Sequence, residues 1–162
     1  MSMGYGEGDS TGLDTARGRD WPSIRQFSVF LQNRVGALLE LVRKFELANN
    51  RIVALSVVDS ADCSIVRIVL CDPERAYETF RAAKLPFLES DLLVVKMPGG
   101  PHPMGNICKA LLAAEINIHY AYSLIVDGDQ PALALHVDDH ETSVFTLQKQ
   151  GFTIFSENDL GE

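Results

Sequence analysis

Two stretches of this chain follow one pattern, and that repeat limits the folds open to it more than any single motif does. Leu93, Val95 and Met97 stand 66 positions after Phe27, Val29 and Leu31, and Met104, Ile107, Cys108 and Leu111 follow Leu38, Leu41, Val42 and Phe45 at the same offset. The offset is then read as slipping to 67, which aligns Asn50, Ala54, Ser56, Asp72 and Phe80 with Asn117, Ala121, Ser123, Asp139 and Leu147. A period of this length points to two copies of one supersecondary unit. In a chain of 162 residues each copy is marginal alone, so the halves are expected to share an interface and to hold a nearly fixed orientation across a joint at about Ser90-Asp91.

Within the first copy, Phe27, Val29 and Leu31 alternate with Gln26, Ser28 and Phe30, which predicts a strand with one face on a core. After the turn from Gln32 to Gly36, apolar residues fall at helical spacing until Asn49-Asn50 offers a left-handed stop. Ile52 to Val58 and Ser64 to Leu70 are β-branched runs around Asp59-Ser60-Ala61-Asp62, a hairpin pattern. Asp72-Pro73-Glu74 combines a capping acid, proline at the first helical position and an acid near the positive helix end, so a second helix runs through Tyr77 and Phe80. Phe87 to Glu89 supplies a short closing strand, and Thr153 to Ser156 its counterpart. The order β-α-β-β-α-β is that of a ferredoxin-like unit. The expected class is therefore α+β: two ferredoxin-like βαββαβ units in tandem, over 24–90 and 91–162, with antiparallel sheets and helices on one face. Residues 1–23 are expected to form a flexible tail, because Met1 to about Trp21 is rich in Gly, Ser, Thr and Asp with almost no apolar periodicity.

Apolar residues make up 46% of the chain, enough for a packed core. With 14 Lys and Arg against 22 Asp and Glu, the formal charge of -8 repels phosphate backbones and anionic lipid, so neither nucleic acid nor a membrane is expected as a partner. Cys63, Cys71 and Cys108 are odd in number, widely spaced and set in apolar runs, which suits free buried thiols in a reducing compartment. No run reaches the roughly 18 apolar residues of a membrane span, and the start lacks a basic region followed by an apolar one. A cytoplasmic protein is expected.

The segment FSVFLQNRVGALL beginning at Phe27, followed by a helix and then NRIVAL beginning at Asn50, resembles the opening of an ACT domain. EINIHYAY, beginning at Glu115, is similar to the start of the second strand in that family. The likeness spans Ile24 to Leu160, and the first half is especially similar to the regulatory subunits of acetolactate synthase. What the resemblance implies is an amino-acid-binding regulatory module that works through paired domains. It implies an amino acid or similar small metabolite as ligand, a homodimer, a metabolic enzyme as regulated partner, no cofactor and no catalysis.

The residues of the first turn agree with that role. Gly36 permits close backbone approach, and the N–H groups at the helix start near Ala37 and Leu38 suit a carboxylate. Asn33 offers a side-chain oxygen to an amino group, and Arg34 a forked donor to the carboxylate. The candidate site is therefore Asn33, Arg34, Val35, Gly36, Ala37 and Leu38 with Asn50, Arg51 and Ile52. The same residues also fit a purely structural turn, in which Asn33 shapes the bend, Gly36 enters the helix and Arg34 is solvated. The second copy departs here: His102 stands in the place of Gly36, within Pro98-Gly-Gly-Pro-His-Pro-Met. A second candidate site of Gly99, Gly100, His102, Pro103, Met104, Asn117 and Ile118 either takes a different ligand or has become structural.

A search for chemistry finds no starting residue. Gly99-Gly100 is followed by no Gly-Lys-Ser/Thr, and Gly-x-Ser-x-Gly, Cys-x-x-Cys and His-Glu-x-x-His do not occur. A hairpin turning at Asp127-Gly128 would set His119 opposite His136, with His140 nearby; two imidazoles make an incomplete metal site, so no metal is expected, and the alternative functions are a structural or interaction module without ligand or a metal sensor using His119 and His136. That face would also carry the small residues Ala121, Ser123, Ala132 and Ala134, with Ala54 and Ser56 in the first copy, suited to packing against the other copy or a second chain. Tyr120 and Tyr122 would lie beneath the helices.

Overall fold

The computed structural model describes residues 18–161. The elements run β1 (Ile24–Gln32), α1 (Ala37–Leu47), β2 (Ile52–Asp59), β3 (Cys63–Leu70), α2 (Pro73–Ala82), β4 (Phe87–Lys96), α3 (Pro103–Ala113), β5 (Ile118–Val126), β6 (Gln130–Val137) and α4 (His140–Lys149), followed by a 3-10 turn at Glu157–Leu160. The class is α+β, with two ferredoxin-like copies in tandem. Among the described residues no helix is long and apolar enough to cross a membrane.

Local chemistry repeats along with the pattern. Asp72 and Asp139 cap α2 and α4, each accepting from the backbone N–H three residues on, at 3.0 Å from Arg75 and 3.0 Å from Thr142. All four helices end on a residue in the left-handed region, Asn49, Lys84, Glu115 and Gly151. The next N–H in each case returns to the carbonyl five residues back, as in Asn50 to Phe45 and Ile116 to Leu111, both at 3.0 Å.

Strand β4 corrects the expected joint. Ser90 and Asp91 do not link two strands; they lie inside one. Its first part, Phe87 to Leu92, pairs antiparallel with β1, and its second, Leu93 to Lys96, pairs antiparallel with β6. Ser90 stands opposite Gln26 and Asp91 opposite Arg25, and Ser23 donates to the Asp91 carboxylate at 2.9 Å. The result is a single six-stranded sheet of order β2-β3-β1-β4-β6-β5. The closing strand of the second copy shrinks to one bridge, between Val95 and Ile154.

The sheet folds over at β4, and the two end strands, β2 and β5, come into contact. Three apolar layers follow. Phe27, Val29, Leu31, Val66 and Ile68 pack under α1 and α2 with Leu41, Phe45, Ala76 and Phe80. Leu93, Val95, Leu133 and Leu135 pack under α3 and α4 with Ile107, Leu111, Val144 and Leu147. Between the two halves of the sheet lies a third cluster of Ile24, Val69, Leu92, Val94, Leu124, Val126, Ala132, Ala134, Phe155 and Leu160. Alternating side chains (period 2) thus serve a helix layer on one face and the shared layer on the other.

The shared layer has a polar centre. Gln26 is fully buried; its amide donates to the Tyr120 hydroxyl at 2.6 Å and accepts from that of Tyr122 at 2.7 Å. The Arg67 guanidinium covers the Tyr120 ring at 3.9 Å. Burial, with Tyr120 beside it, raises the Tyr122 phenol above its ordinary value, so the hydroxyl stays a donor. Both tyrosines therefore sit between the sheet halves and not beneath the helices.

The hairpin registers correct the repeat itself. Phe27 faces Ile68 and Leu93 faces Leu135, so the offset is 66 before the hairpin and 67 after it. The β-bulges at Ile52/Ala54 and Ile118/Tyr120 keep 66, and the slip falls where β5, with 9 residues, outruns β2, with 8. Asn117 is thus the counterpart of Arg51, and Ile116 that of Asn50. A loop spanning Asp127, Gly128 and Asp129, longer than expected, puts Tyr120 opposite His136, Ala121 opposite Leu135 and Tyr122 opposite Ala134. Ala132 and Ala134 consequently face the shared layer, while Ala121 and Ser123 are exposed on the other face.

Of the tail expected over 1–23, residues 1–17 lie outside the described residues, and the remainder is folded. Ser23 is buried, Arg19 donates to the carbonyls of Cys71 at 3.3 Å and Glu157 at 3.4 Å, and the His140 ring lies 3.0 Å from the Pro22 carbonyl. The three cysteines are free, but Cys71 alone is buried; Cys63 is half-buried and Cys108 is exposed on α3. Helical spacing marks the apolar stripe without fixing its width, and Cys108 falls outside it.

Replacing Gln26 by Leu keeps the volume and strips both tyrosines of their partner. We expect a loss of about 2 kcal/mol in urea unfolding. Because β4 is shared, fluorescence and far-UV signals should still move together in one transition.

Candidate functional site

The β1–α1 turn is held by the Arg34 N–H to the Gln32 carbonyl at 2.9 Å and the Ala37 N–H to the Arg34 carbonyl at 3.3 Å. Gly36 caps α1 from the left-handed region, at φ 85°, and no side chain caps the helix. With the Ala37 N–H held by the Arg34 carbonyl, the Leu38 and Leu39 amides are the ones that have no carbonyl within the helix to reach and no side-chain cap. A Cβ at Gly36 would meet nothing within 4 Å, so the backbone alone asks for glycine.

Asn33 donates to the Asp59 carboxylate at 3.2 Å, tying the turn to the end of β2. Arg34 forks onto Glu40 with bonds of 3.1 and 2.6 Å. Those bonds, and the charges behind them, hold the guanidinium above and the Glu40 carboxyl below their ordinary values. Val35 is fully exposed and Leu38 partly so. Beside the turn lies a groove of about 330 Å³, walled by Arg34, Ala37, Glu40, Leu41 and Lys44 on one side and by Phe30, Leu31, Gln32, Leu85 and Pro86 on the other.

Asn50, Arg51 and Ile52 are not part of this neighbourhood. Ile52 pairs with Leu70 while Asp59, at the turn end of β2, pairs with Ser64. Seven strand steps, roughly 23 Å, separate the two ends. Asn50 is buried and structural: it donates to the Asp72 carbonyl at 2.8 Å and accepts from the Asp72 N–H at 3.0 Å. Arg51 donates to the Leu160 carbonyl at 2.6 Å, and Ile52 packs against the first core. Glu40 and Lys44 were missed in the sequence, although with Ala37 and Leu41 they form an i, i+3, i+4, i+7 stripe on one helix face.

The second copy's turn is built differently. His102 caps α3 with φ −136° and no side-chain bond, Pro103 occupies the first helical position, Gly99 and Gly100 are exposed, and Met104 is half exposed. Asn117 and Ile118 again lie at the far end of the strand, where Ile118 faces Val137. At the structural offset, Gly100, Asn106 and Ala110 occupy the places of Arg34, Glu40 and Lys44. The second turn carries none of the groove's charges.

His119 sits at the bulge of β5, its ring 5.3 Å from that of His136, which stacks on Tyr120 at 5.0 Å. Among the described residues no group of three His, Cys, Asp or Glu side chains gathers to hold a metal. Burial, then the neighbouring His119 and Arg67, lower the His136 imidazole below its ordinary value, against a smaller opposing pull from Asp91. A larger cavity of about 510 Å³ surrounds Arg25. There Glu157 takes two bonds from Arg25, at 2.8 and 2.9 Å, with Glu74 and Glu89 alongside.

A family model described as an ACT domain pair matches residues 22–162. The chain belongs to the ACT domain pair family. The structure of protein BT0572 from Bacteroides thetaiotaomicron is similar to this ACT pair, with a TM-score of 0.78 and 22% identity over 85% of this chain and 95% of that one. The ligand-free regulatory subunit of aspartate kinase from Thermus thermophilus is similar with a TM-score of 0.53 and 8% identity, covering 80% and 93%. The aspartokinase α and β subunits give 0.52 and 11%, covering 79% and 92%. At these identities the likeness is one of fold. No curated protein matches this ACT pair in sequence.

Two outcomes follow. Gly36→Ala should cost about 1–2 kcal/mol in urea unfolding, all from backbone conformation. His136, neutral when folded, contributes stability that is complete above the ordinary imidazole value of 6.5 and lost as pH falls through the lower folded-state value. Between pH 8 and 5 the urea midpoint of the natural chain should therefore fall more than that of His136→Gln.

Proposed function

We propose that this ACT pair binds a free amino acid at the β1–α1 turn of its first copy and regulates through that binding, with no chemistry of its own. The observation that carries the reading is the difference between the copies. Where the fold repeats, the first turn joins an uncapped helix start to a groove bearing Arg34 and Glu40, and the second presents Gly100 and Asn106. We read the second turn, with His102 and Pro103, as structural.

The ligand carboxylate takes the first-turn amides of α1 and the Arg34 fork. Its ammonium takes Glu40, replacing Arg34 as that carboxylate's partner, so one zwitterion satisfies both members of the pair it opens. The ligand side chain lies along the groove between Leu41 and Leu85-Pro86. A volume near 330 Å³ is at the small end of ligand pockets and fits a single amino acid. The output passes from α1 and the sheet edges to a second copy of the chain and to a metabolic enzyme. Three free thiols support a reducing, cytoplasmic setting.

Thermal unfolding with each proteinogenic amino acid, on protein freed of carried-over ligand, tests this directly. At least one should raise the midpoint, by the equivalent of about 2.7 kcal/mol at a hundredfold excess over Kd, and Arg34→Ala should abolish the rise. No rise with any amino acid contradicts the reading.

A further inference from the structure

The groove holds one more charge than an ordinary amino acid needs. Ala37, Glu40, Leu41 and Lys44 share one face of α1 and all line the groove, with Arg34 at its mouth. Along that face the charges run Arg34, Glu40, Lys44, or plus, minus, plus. Arg34 and Glu40 are paired with each other. Lys44 lies near enough to help lower the Glu40 carboxyl, but it makes no ion pair among the described residues. Four helix steps, about 6 Å of rise, separate Glu40 from Lys44.

We infer that the ligand is an acidic amino acid, with two carboxylates flanking one ammonium. The inference rests on the amino-acid reading above and names the chemical class of that ligand. Its main-chain carboxylate meets Arg34, its ammonium meets Glu40, and its side-chain carboxylate meets Lys44 one helical turn further on. One carbon atom (aspartate) or two (glutamate) between the ammonium-bearing carbon and the second carboxylate, together with the reach of the lysine stem, span that rise. A neutral side chain leaves the Lys44 ammonium in water and gains nothing from it. A basic side chain places like charges together, which selects against it. In a chain of net charge -8 this groove is a local positive exception, so it attracts a ligand of net charge -1 against the overall field.

The second copy supports the same assignment by contrast. Gly100, Asn106 and Ala110 stand where the first copy has Arg34, Glu40 and Lys44, so the second copy has none of the three charges. The core positions of the same helices, Leu41 and Ile107 or Phe45 and Leu111, remain large, apolar and buried. The charged face of α1 is not something this fold needs.

Calorimetric titration of the full chain with L-glutamate, L-aspartate, L-glutamine, L-asparagine and L-lysine decides the matter, repeated on Lys44→Met. At least one acidic amino acid should bind roughly tenfold or more tighter than its own amide. In Lys44→Met that ratio should fall to about one, while the unfolding midpoint without ligand stays unchanged because Lys44 is exposed. L-lysine should bind weakest. Equal binding of acids and amides, or a preference that survives Lys44→Met, overturns the acidic assignment and leaves amino-acid binding intact. Absence of binding by every amino acid overturns both.

Discussion

A ten-residue strand that hydrogen-bonds to β1 through its first part and to β6 through its second leaves the two copies of this chain no linker in which to move. The position of the shared layer follows from it. Once β4 crosses from one half of the sheet to the other, the faces away from the helices must meet, and Ile24, Leu92, Val94 and Leu124 are apolar because of it. Gln26 is the polar exception, made affordable by two tyrosine hydroxyls. The chain ends reinforce the crossing. Glu157, from the end of the second copy, binds Arg25 in the first, and Arg51 holds the Leu160 carbonyl. The part-buried Arg25–Glu157 pair and the Gln26 cluster favour this one docking of the two halves, since any other would leave charged or polar groups unpaired.

Such a construction limits how a bound ligand can act. Hinge motion between the copies would break the β4 ladder, so a signal must travel within the first copy or outward to another chain. The β1–α1 turn is suited to this because few bonds hold it: two backbone bonds within the turn, one side-chain bond to Asp59 and one exposed ion pair, which is weak in water. In the proposed binding mode a zwitterion exchanges partners with Arg34 and Glu40, which lie at the surface and not in the core. The second copy has proline at the helix start and no charges at the matching positions.

Much of this was legible in the sequence where local chemistry decides the outcome. Asp72 and Asp139 announced their helices, Asn49 announced a stop, and the matched apolar spacings announced the repeat and the family. Two of the misreadings share a physical cause: each depended on a one-residue choice that side-chain pattern does not encode. A hairpin loop one residue longer moved Ala132 and Ala134 to the face opposite Ala121, and a bulge at His119 put Tyr120 and Tyr122 in the shared layer. Ser90-Asp91 looked like a connection because polar residues interrupt an apolar run. Yet their backbones only complete a ladder that the twofold use of β4 requires. Asn50 was placed at the ligand site because it is polar and lies beside a strand; its amide in fact holds the start of α2. Glu40 and Lys44 were not singled out in the sequence, because the fold alone brings Leu85 and Pro86 beside their helix face.

We propose a rigid pair in which the first copy carries a ligand turn and the second does not. Counting sites tests it most directly: equilibrium dialysis of the full chain at saturating ligand, with protein concentration fixed by absorbance. The account predicts one amino acid bound per chain, whatever the oligomeric state. Two per chain would mean that the turn at His102 and Pro103 also binds, and one per two chains would mean that the turn at Gly36 does not form a site by itself; either result would contradict it.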